Sequence, residues 1–477
     1  MQFFASDPSS DSSRRLLLIS YFFTPINVVA SHRWQAMISD GAERGWSADV
    51  IMVDPTCAMS IDPASAMAVD LEKLHQLPDG VTIYQVPDER SWQFRAQQAL
   101  WRFLRPLVRR TPRVPRLEHD SGPPSEVPRG FRLREAYLSR LHYVEFQRWA
   151  RAAAKEAFEV AERHIPDAIV SSGPPHSAHE AARRLASQLG RPWIMDLRDP
   201  WGALENMPST HAGRTWMELT RAFESRCVHA ATRVVLNTEA SRQDMCRRYP
   251  ELVDRFVTVM NGADPLDVPV VAPARRFTMA YTGQIYVGRD PGTLFRALAR
   301  VVEQLSIAPE QLVVEFMGGD DYARRAVVEA AERAGVAAFV SFLPRQPHRE
   351  ALKLLARASM LVSLPQYARL AIPAKLFEYV EFDAWLLILA EPGTATEVLF
   401  RDSGADVVHP DDVDSIAASI RRRYEQFSRG ERPPSLNAAG SFARSRQMRI
   451  FFETLDALVP PHTRAMANTL AAGRPVT

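Results

Sequence analysis

A lysine and a glutamate three residues apart are the first candidates for chemistry in this chain. Lys375 and Glu378 lie in residues 373–379, Pro-Ala-Lys-Leu-Phe-Glu-Tyr, at the start of a predicted helix. Positions i and i+3 share one helix face, so both charged groups point the same way. The free N–H groups of a helix start also attract anions. The combination suits a ligand that carries phosphate and hydroxyl groups, and a sugar nucleotide is such a ligand.

Lysine is rare in this sequence, which adds weight to position 375. Only four of the 58 basic residues are lysines, and the other 54 are arginines. A compact ammonium and a planar guanidinium are not interchangeable. A chain this rich in arginine therefore retains Lys375 more plausibly for a function than by drift.

Composition limits the class of protein. A length of 477 residues predicts two or more domains. The net charge of +2 gives no bulk attraction to nucleic acid, and none is expected as a partner. Three scattered cysteines without metal-ligand spacing fit reduced thiols in the cytoplasm. Since no apolar run approaches the ~20 residues of a membrane span, we expect a cytoplasmic protein, free or at the inner face of the membrane.

The elements that must position these residues alternate between strand and helix. A strand at 16–20, a helix at 32–44 and a strand at 48–53 form a βαβ unit, and the alternation continues to about residue 264. Three prolines between 265 and 273 predict a linker. The second domain, 271–435, repeats the alternation, with strands at 277–282, 312–317, 338–343, 359–363 and 385–390. Residues 442–458 are predicted to form a helix that packs back on the first domain, and 1–15 and 459–477 to be disordered.

Residues 88–150 interrupt the alternation as a basic insertion. Within it, residues 92–116 interleave tryptophan and phenylalanine with arginine. Such a segment can contact an anionic membrane surface peripherally. It can equally be a packed insertion with a solvated arginine face, and the sequence leaves both interpretations open.

Three segments together resemble the retaining glycosyltransferases of family 4. They are residues 193–201 (Trp-Ile-Met-Asp-Leu-Arg-Asp-Pro-Trp), 260–264 (Met-Asn-Gly-Ala-Asp) and 373–379. The resemblance implies an α/β fold of the GT-B type, with two Rossmann-like domains facing a central cleft. It also implies sugar transfer, with retention, from a UDP- or GDP-sugar donor to a glycan, lipid-linked or small-molecule acceptor. No cofactor or metal is expected, and the pathway implied is cell-envelope or exopolysaccharide synthesis.

The resemblance places the donor in the second domain. The residues implied to bind it are Gly283, Arg289, Pro373, Ala374, Lys375 and Glu378. The glutamate would accept hydrogen bonds from the ribose hydroxyls, and the turn that leads to the lysine would meet the diphosphate. Three positions of the donor site depart from the family: Leu370 stands where a second glutamate is common, Gln284 where an arginine is common, and Arg289 where a lysine is common.

Catalytic candidates lie after a strand of the first domain. Asp196 and Arg198 are predicted to face and orient the reacting sugar, while Lys375 stabilises the leaving diphosphate. The alternative is a structural Asp–Arg pair that caps the next helix. Further candidates for the cleft are His176, Asp199, Ser31, Arg33 and Asn261.

A D-x-D sequence, Asp412-Val413-Asp414, is a pattern linked to metal in other glycosyltransferases. Because a helix is predicted directly after it, we interpret Asp412 as a helix cap instead.

Two other functions remain open. A GT-B epimerase acting on a sugar nucleotide would need acid and base groups, which only Asp196 and His176 offer. A non-catalytic sugar-nucleotide-binding protein is the second alternative, because the carboxylate expected at Leu370 is missing.

Overall fold

The computed structural model describes residues 2–5, 14–57, 69–89, 91, 129–201, 214–285, 289–365 and 368–459. The predicted membrane segment 92–116 and the tail from residue 460 lie outside them. The described residues divide into two compact units. Unit 1 contains those up to Leu236, those from Glu251 to Val257 and those from Phe451 onward. Unit 2 contains Asn237–Pro250 and Thr258–Ile450, so the division falls earlier than the predicted linker.

Unit 1 is built on an eight-stranded sheet in the order β1-β4-β3-β2-β5-β6-β7-β8. The six strands from β4 to β7 are parallel, and β1 is antiparallel to β4. The strands are β1 (Gln2–Ala5), β2 (Arg14–Ser20), β3 (Trp46–Val53), β4 (Val81–Val86), β5 (Ala168–Gly173), β6 (Trp193–Leu197), β7 (Arg233–Leu236) and β8 (Phe256–Thr258). The prediction of disorder over residues 1–15 is wrong for Gln2–Ala5 and for the first two residues of β2.

Buried apolar runs explain the central strands. All eight residues of β3 and the last five of β2 are buried, as parallel strands covered on both faces require. The helices of this unit are α1 (Val29–Glu43), α2 (Arg129–Arg163), α3 (Ser177–Leu189) and α4 (Arg214–Ala230). Helix α3 ends, as predicted, at Gly190, whose φ of 62° favours glycine.

The long helix α2 occupies the end of the predicted insertion. Its inner face is a stripe of small residues with helical spacing: Ala150, Ala153, Ala154, Ala157 and Ala161 are all buried. Small side chains allow close packing, and α2 lies against α3 and α4. None of the described helices is both long and apolar enough to cross a membrane.

The final helix, α12 (Arg444–Leu458), is divided between the units at Ile450. In unit 1, Phe451 packs edge-on against Trp34, with ring centroids 5.7 Å apart. Gly41 of α1 leaves room for Phe452, because a Cβ there would lie 2.8 Å from the phenyl ring. Asp456 accepts a hydrogen bond from Trp46 Nε1. These contacts fix the end of α12 onto α1 and β3.

Unit 2 contains a six-stranded, wholly parallel sheet in the order β11-β10-β9-β12-β13-β14. Its strands are β9 (Phe277–Thr282), β10 (Leu312–Met317), β11 (Val340–Leu343), β12 (Met360–Ser363), β13 (Trp385–Leu389) and β14 (Asp406–Val408). The chain winds outward from β9 in one direction and then from β12 in the other. This doubly wound order places a ligand crevice at the carboxyl ends of β9 and β12.

Seven helices of unit 2 precede α12 among the described residues. They are α5 (Glu239–Arg248), α6 (Gly292–Leu305), α7 (Asp321–Arg333), α8 (His348–Arg357), α9 (Ala374–Tyr379), α10 (Ala395–Phe400) and α11 (Val413–Ser428). Asp412 caps α11, since its carboxylate accepts the N–H of Ser415 at 3.0 Å. The interpretation of the D-x-D sequence as a helix cap is confirmed.

Candidate functional site

The carboxyl ends of β9 and β10 expose backbone without side chains. Gly283 follows β9 with a φ of 115°, and Gly318 follows β10 with a φ of 106°. A Cβ on Gly318 would lie 3.3 Å from the N and O atoms of Gly283. Two adjacent glycines in this conformation allow a ligand to approach the main chain closely.

Lys375 lies directly on this glycine surface. Its ammonium donates to the carbonyl of Thr282 at 2.6 Å and lies 3.9 Å from the ring centre of Tyr281. A Cβ on Gly283 would come within 2.8 Å of Lys375 Nζ. The glycine and the lysine, predicted separately, therefore form one arrangement in which the lysine requires the glycine.

The surroundings of Lys375 favour its neutral form in the free protein. Its pKa is lowered to about 7, first by burial and then by the charge of Arg289, against the opposing charge of Glu378. Arg289 itself donates to the carbonyl of Gln284 at 3.4 Å. Two cationic side chains at the end of one strand can hold a diphosphate.

Glu378 presents an acceptor atom without a hydrogen-bonding partner. Its side chain is 23% exposed, yet Oε1 is buried and accepts no hydrogen bond. His348 Nε2 lies 3.4 Å from Oε1. Burial raises the pKa of Glu378, while His348 and Lys375 act to lower it. A buried acceptor that receives no hydrogen bond from the protein is well placed to accept a hydrogen bond from a ligand.

Helix α9 holds both groups by burying its opposite face. Leu376, Phe377 and Tyr379 enter the core. The Tyr379 hydroxyl accepts the N–H of Thr282 at 2.8 Å, which fixes α9 against the end of β9. The helix has only six residues, so fewer than two turns, rather than a long helix dipole, support the site.

The position of Leu370 is fixed by its backbone. The side chain is 2% exposed. Its carbonyl accepts the hydroxyls of Thr238 at 2.6 Å and Ser241 at 3.1 Å, both at the start of α5. The chain that leads into the site is therefore anchored to a helix that sequence reasoning assigned to the first domain.

In unit 1, Asp196 lies at the centre of a buried network. Its carboxylate accepts hydrogen bonds from Arg33 at 3.1 Å, Trp34 at 3.2 Å and Ser172 at 2.8 Å, and the residue is 0% exposed. Its ion-pair partner is Arg33 of α1. The geometry favours the structural alternative for Asp196 over contact with a sugar.

The neighbouring candidates belong to the same interior. Arg198 donates to Ser172 Oγ at 3.0 Å and to the carbonyl of Pro174, and burial lowers its pKa. Burial also raises the pKa of Asp199. His176 stacks on Trp201, with centroids 4.5 Å apart, and its pKa falls to about 3 through burial and the charge of Arg198. A neutral, stacked imidazole is poorly suited to proton transfer near neutral pH.

Replacing Asp196 should therefore test a structural role. Asp196→Ala removes the carboxylate that pairs with the buried Arg33, so we expect a loss of about 3–5 kcal/mol in unfolding free energy. Chemical denaturation followed by intrinsic fluorescence measures this, with the exposed Asp411→Ala as the control. Near-normal stability would instead point to a role in binding.

The remaining candidates, Asn261 and Ser31, lie in residues 260–264 and in helix α1. Gly262, with a φ of 70°, lies so close to α12 that a Cβ would be 2.5 Å from the Cα of Arg444. Asp264 pairs with Arg444 at 2.6 Å. Residues 260–264 thus hold the start of α12. Ser31 is buried inside α1 and not in the preceding loop.

Sequence reasoning missed His348 and Tyr281 at the site. His348 begins α8, and its position after β11, at the carboxyl edge of the sheet, was the available signal. Tyr281 lies near the end of β9, two residues before Gly283, and no role was predicted for it. In the described parts of the chain, no cluster of three His, Cys, Asp or Glu side chains has metal-binding geometry.

Comparisons with known proteins support the architecture. A D-inositol 3-phosphate glycosyltransferase of Rhodococcus opacus is 29% identical over 208 residues, which are 39% of this chain and 45% of that protein. The chain spans about half the length of the curated relatives it matches. No family model matches it.

Solved structures match over nearly the whole chain. The Anabaena protein HepE in complex with UDP gives a TM-score of 0.58 at 14% identity, covering 93% of this chain and all of that one. Sucrose-phosphate synthase of Thermosynechococcus elongatus gives 0.57 at 15%, covering 96% and 100%. The fold is that of the GT-B glycosyltransferases. The predicted fold class, two Rossmann-like parallel-sheet domains, is confirmed.

Proposed function

We propose that this GT-B protein is a glycosyltransferase that uses a nucleotide-diphosphate sugar. The observation that carries the proposal is the pairing, at one strand end, of a lysine over bare glycine backbone with a buried carboxylate oxygen that has no donor. The first suits a diphosphate and the second a pair of ribose hydroxyls. The relatives named as glycosyltransferases and the neighbour that binds UDP support the same class of ligand.

The proposed reaction is substitution at the anomeric carbon with retention. The bond from that carbon to the diphosphate oxygen breaks, and a bond to an acceptor hydroxyl oxygen forms on the same face. The acceptor proton passes to an oxygen of the departing phosphate. Lys375 and Arg289 stabilise the charge that develops on the diphosphate, which is electrostatic catalysis without a protein nucleophile.

The finer assignments extend this proposal. We propose a UDP- or GDP-sugar donor, a glycan, lipid-linked or small-molecule acceptor, and a role in cell-envelope or exopolysaccharide synthesis without a cofactor. A cytoplasmic location, free or at the inner membrane face, is proposed from the three free cysteines and from the composition of residues 92–116. The epimerase alternative loses its acid and base groups, because Asp196 is engaged by three donors and His176 is held neutral.

Release of UDP or GDP from a panel of sugar nucleotides tests the proposal. Turnover in the presence of simple sugar and lipid-linked acceptors is the expected result. Binding without release would identify a non-catalytic sugar-nucleotide-binding protein. Absence of both binding and release across the panel would overturn the proposal.

Donor binding should take up a proton at Lys375 above neutral pH. Since its pKa is about 7 in the free protein, the side chain is largely neutral at pH 8, and a bound diphosphate favours the ammonium. Affinity for UDP-glucose should be highest below pH 7 and fall above it by up to about tenfold per unit. Calorimetry at pH 8 in buffers of different ionisation enthalpy measures the proton. Lys375→Arg should abolish the uptake, and uptake that persists in this variant would contradict the assignment.

A further inference from the structure

One contact at the donor site has no role in the proposed chemistry. His348, the first residue of α8, places Nε2 3.4 Å from Oε1 of Glu378, across 30 residues of sequence. This distance permits an ion pair, although no hydrogen bond forms. The imidazole is 69% exposed, and it lies beside a carboxylate oxygen that is buried from solvent.

The other charged groups around Glu378 do not supply such a contact. Lys375, on the same helix, directs its ammonium to the carbonyl of Thr282. Arg289, after β9, acts on Lys375 and donates to a main-chain carbonyl. Glu350, the acidic residue in the first turn of α8, is paired with a lysine of that helix at 2.7 Å. Of these groups, it is His348 that lies directly beside the buried Oε1 of Glu378.

We propose that His348 is a positioning residue that keeps Glu378 ionised and able to accept two hydroxyl groups, and so sets the lower pH limit of donor binding. The inference rests on the proposed ribose role of Glu378. A carboxylate accepts two hydrogen bonds from a vicinal diol, whereas the proton of a carboxylic acid occupies one of the two oxygens and prevents one of these hydrogen bonds. Burial favours the acid, and the imidazolium, which forms as pH falls, opposes this effect.

The sign of the effect follows from these charges. In the wild type, the charge of His348 acts to lower the pKa of Glu378, so the carboxylate stays ionised to lower pH. Without the imidazolium, Glu378 should take up its proton at higher pH, and donor affinity should begin to fall earlier on acidification. An exposed ion pair supports a displacement of roughly half a pH unit.

The experiment measures the affinity for UDP-glucose from pH 8 to pH 5 by calorimetry. This probe has no group of its own that titrates in that range. His348→Gln should shift this acid-side fall in affinity to higher pH by roughly half a unit, with a loss of up to about threefold in affinity near pH 5.5, and His348→Arg should restore it. His409→Gln, another exposed histidine next to a carboxylate, is the matched control. Thermal unfolding establishes that each variant is folded.

The outcomes separate this inference from the proposed function. If the fall in affinity on acidification occurs at the same pH in His348→Gln as in the wild type, the inference about His348 is overturned. Tighter binding by His348→Gln at low pH also overturns it, because His348 would then compete with the donor. If Glu378→Gln binds UDP-glucose as well as the wild type, the ribose role fails first. If the wild type binds no sugar nucleotide at any pH, the proposed function itself fails.

Discussion

Lys375→Met should lower the rate of UDP release from UDP-glucose by roughly two to three orders of magnitude. The lysine is proposed to stabilise charge that develops on the leaving diphosphate, and removing one such group commonly costs this much. Methionine retains most of the apolar stem that lies over Tyr281, so the fold should tolerate the change. Steady-state kinetics measure the effect, which should appear mainly in kcat.

Two companion variants sharpen this result. Lys353→Met removes an ammonium that is exposed and paired with Glu350, and it should leave the rate unchanged. Lys375→Arg retains the positive charge but replaces a compact ammonium by a planar guanidinium in the limited space beside Gly283. It should therefore recover only part of the rate. A Lys375→Met enzyme with normal kcat would remove the lysine from the mechanism.

Glu378→Ala should weaken binding of UDP by more than about tenfold, the cost of losing a charged hydrogen-bonding group. The assignment to ribose predicts more than a loss of affinity. In the wild type, 2′-deoxy-UDP should bind less tightly than UDP, because one donor to the carboxylate is missing. In Glu378→Ala the two nucleotides should bind equally. Calorimetry of both proteins with both nucleotides gives the coupling free energy between Glu378 and the 2′-hydroxyl.

The control for this cycle is Glu350→Ala, which removes an exposed glutamate from the neighbouring helix α8. It should preserve the difference between the two nucleotides. If Glu378→Ala weakens UDP but keeps the preference over 2′-deoxy-UDP, then Glu378 acts on the phosphates or on the fold, and not on the ribose.

Several elements were predictable because their signals are local. The strands at 277–282 and 312–317 and the helix at 177–189 have the predicted bounds, since continuous apolar runs and helical periodicity lie within each segment. Edge elements were missed. The short β14 (Asp406–Val408) and the N-terminal β1 are only three and four residues long, and their strand conformation depends on pairing with other strands.

The interpretation of Asp196 shows the limit of motif reasoning. Its place at the end of a strand was read correctly, but the strand end alone does not reveal what covers it. Arg33 and Trp34 of α1, more than 160 residues earlier, cover the carboxylate and turn a candidate for catalysis into a buried network. Burial is a property of packing, so the sequence left both interpretations open.

The sequence by itself determined the alternating α/β pattern of both units and singled out the residues of the proposed donor site, because residue type and short-range spacing carry that information. Lys375, Glu378 and Gly283 were identifiable in this way. Only the tertiary structure decided how they meet. The ammonium of Lys375 reaches a carbonyl 93 residues away, and Glu378 faces a histidine from another helix. Hydrogen-bonding partners and charges at this range depend on how the strands order themselves in the sheet, and local spacing does not encode that order.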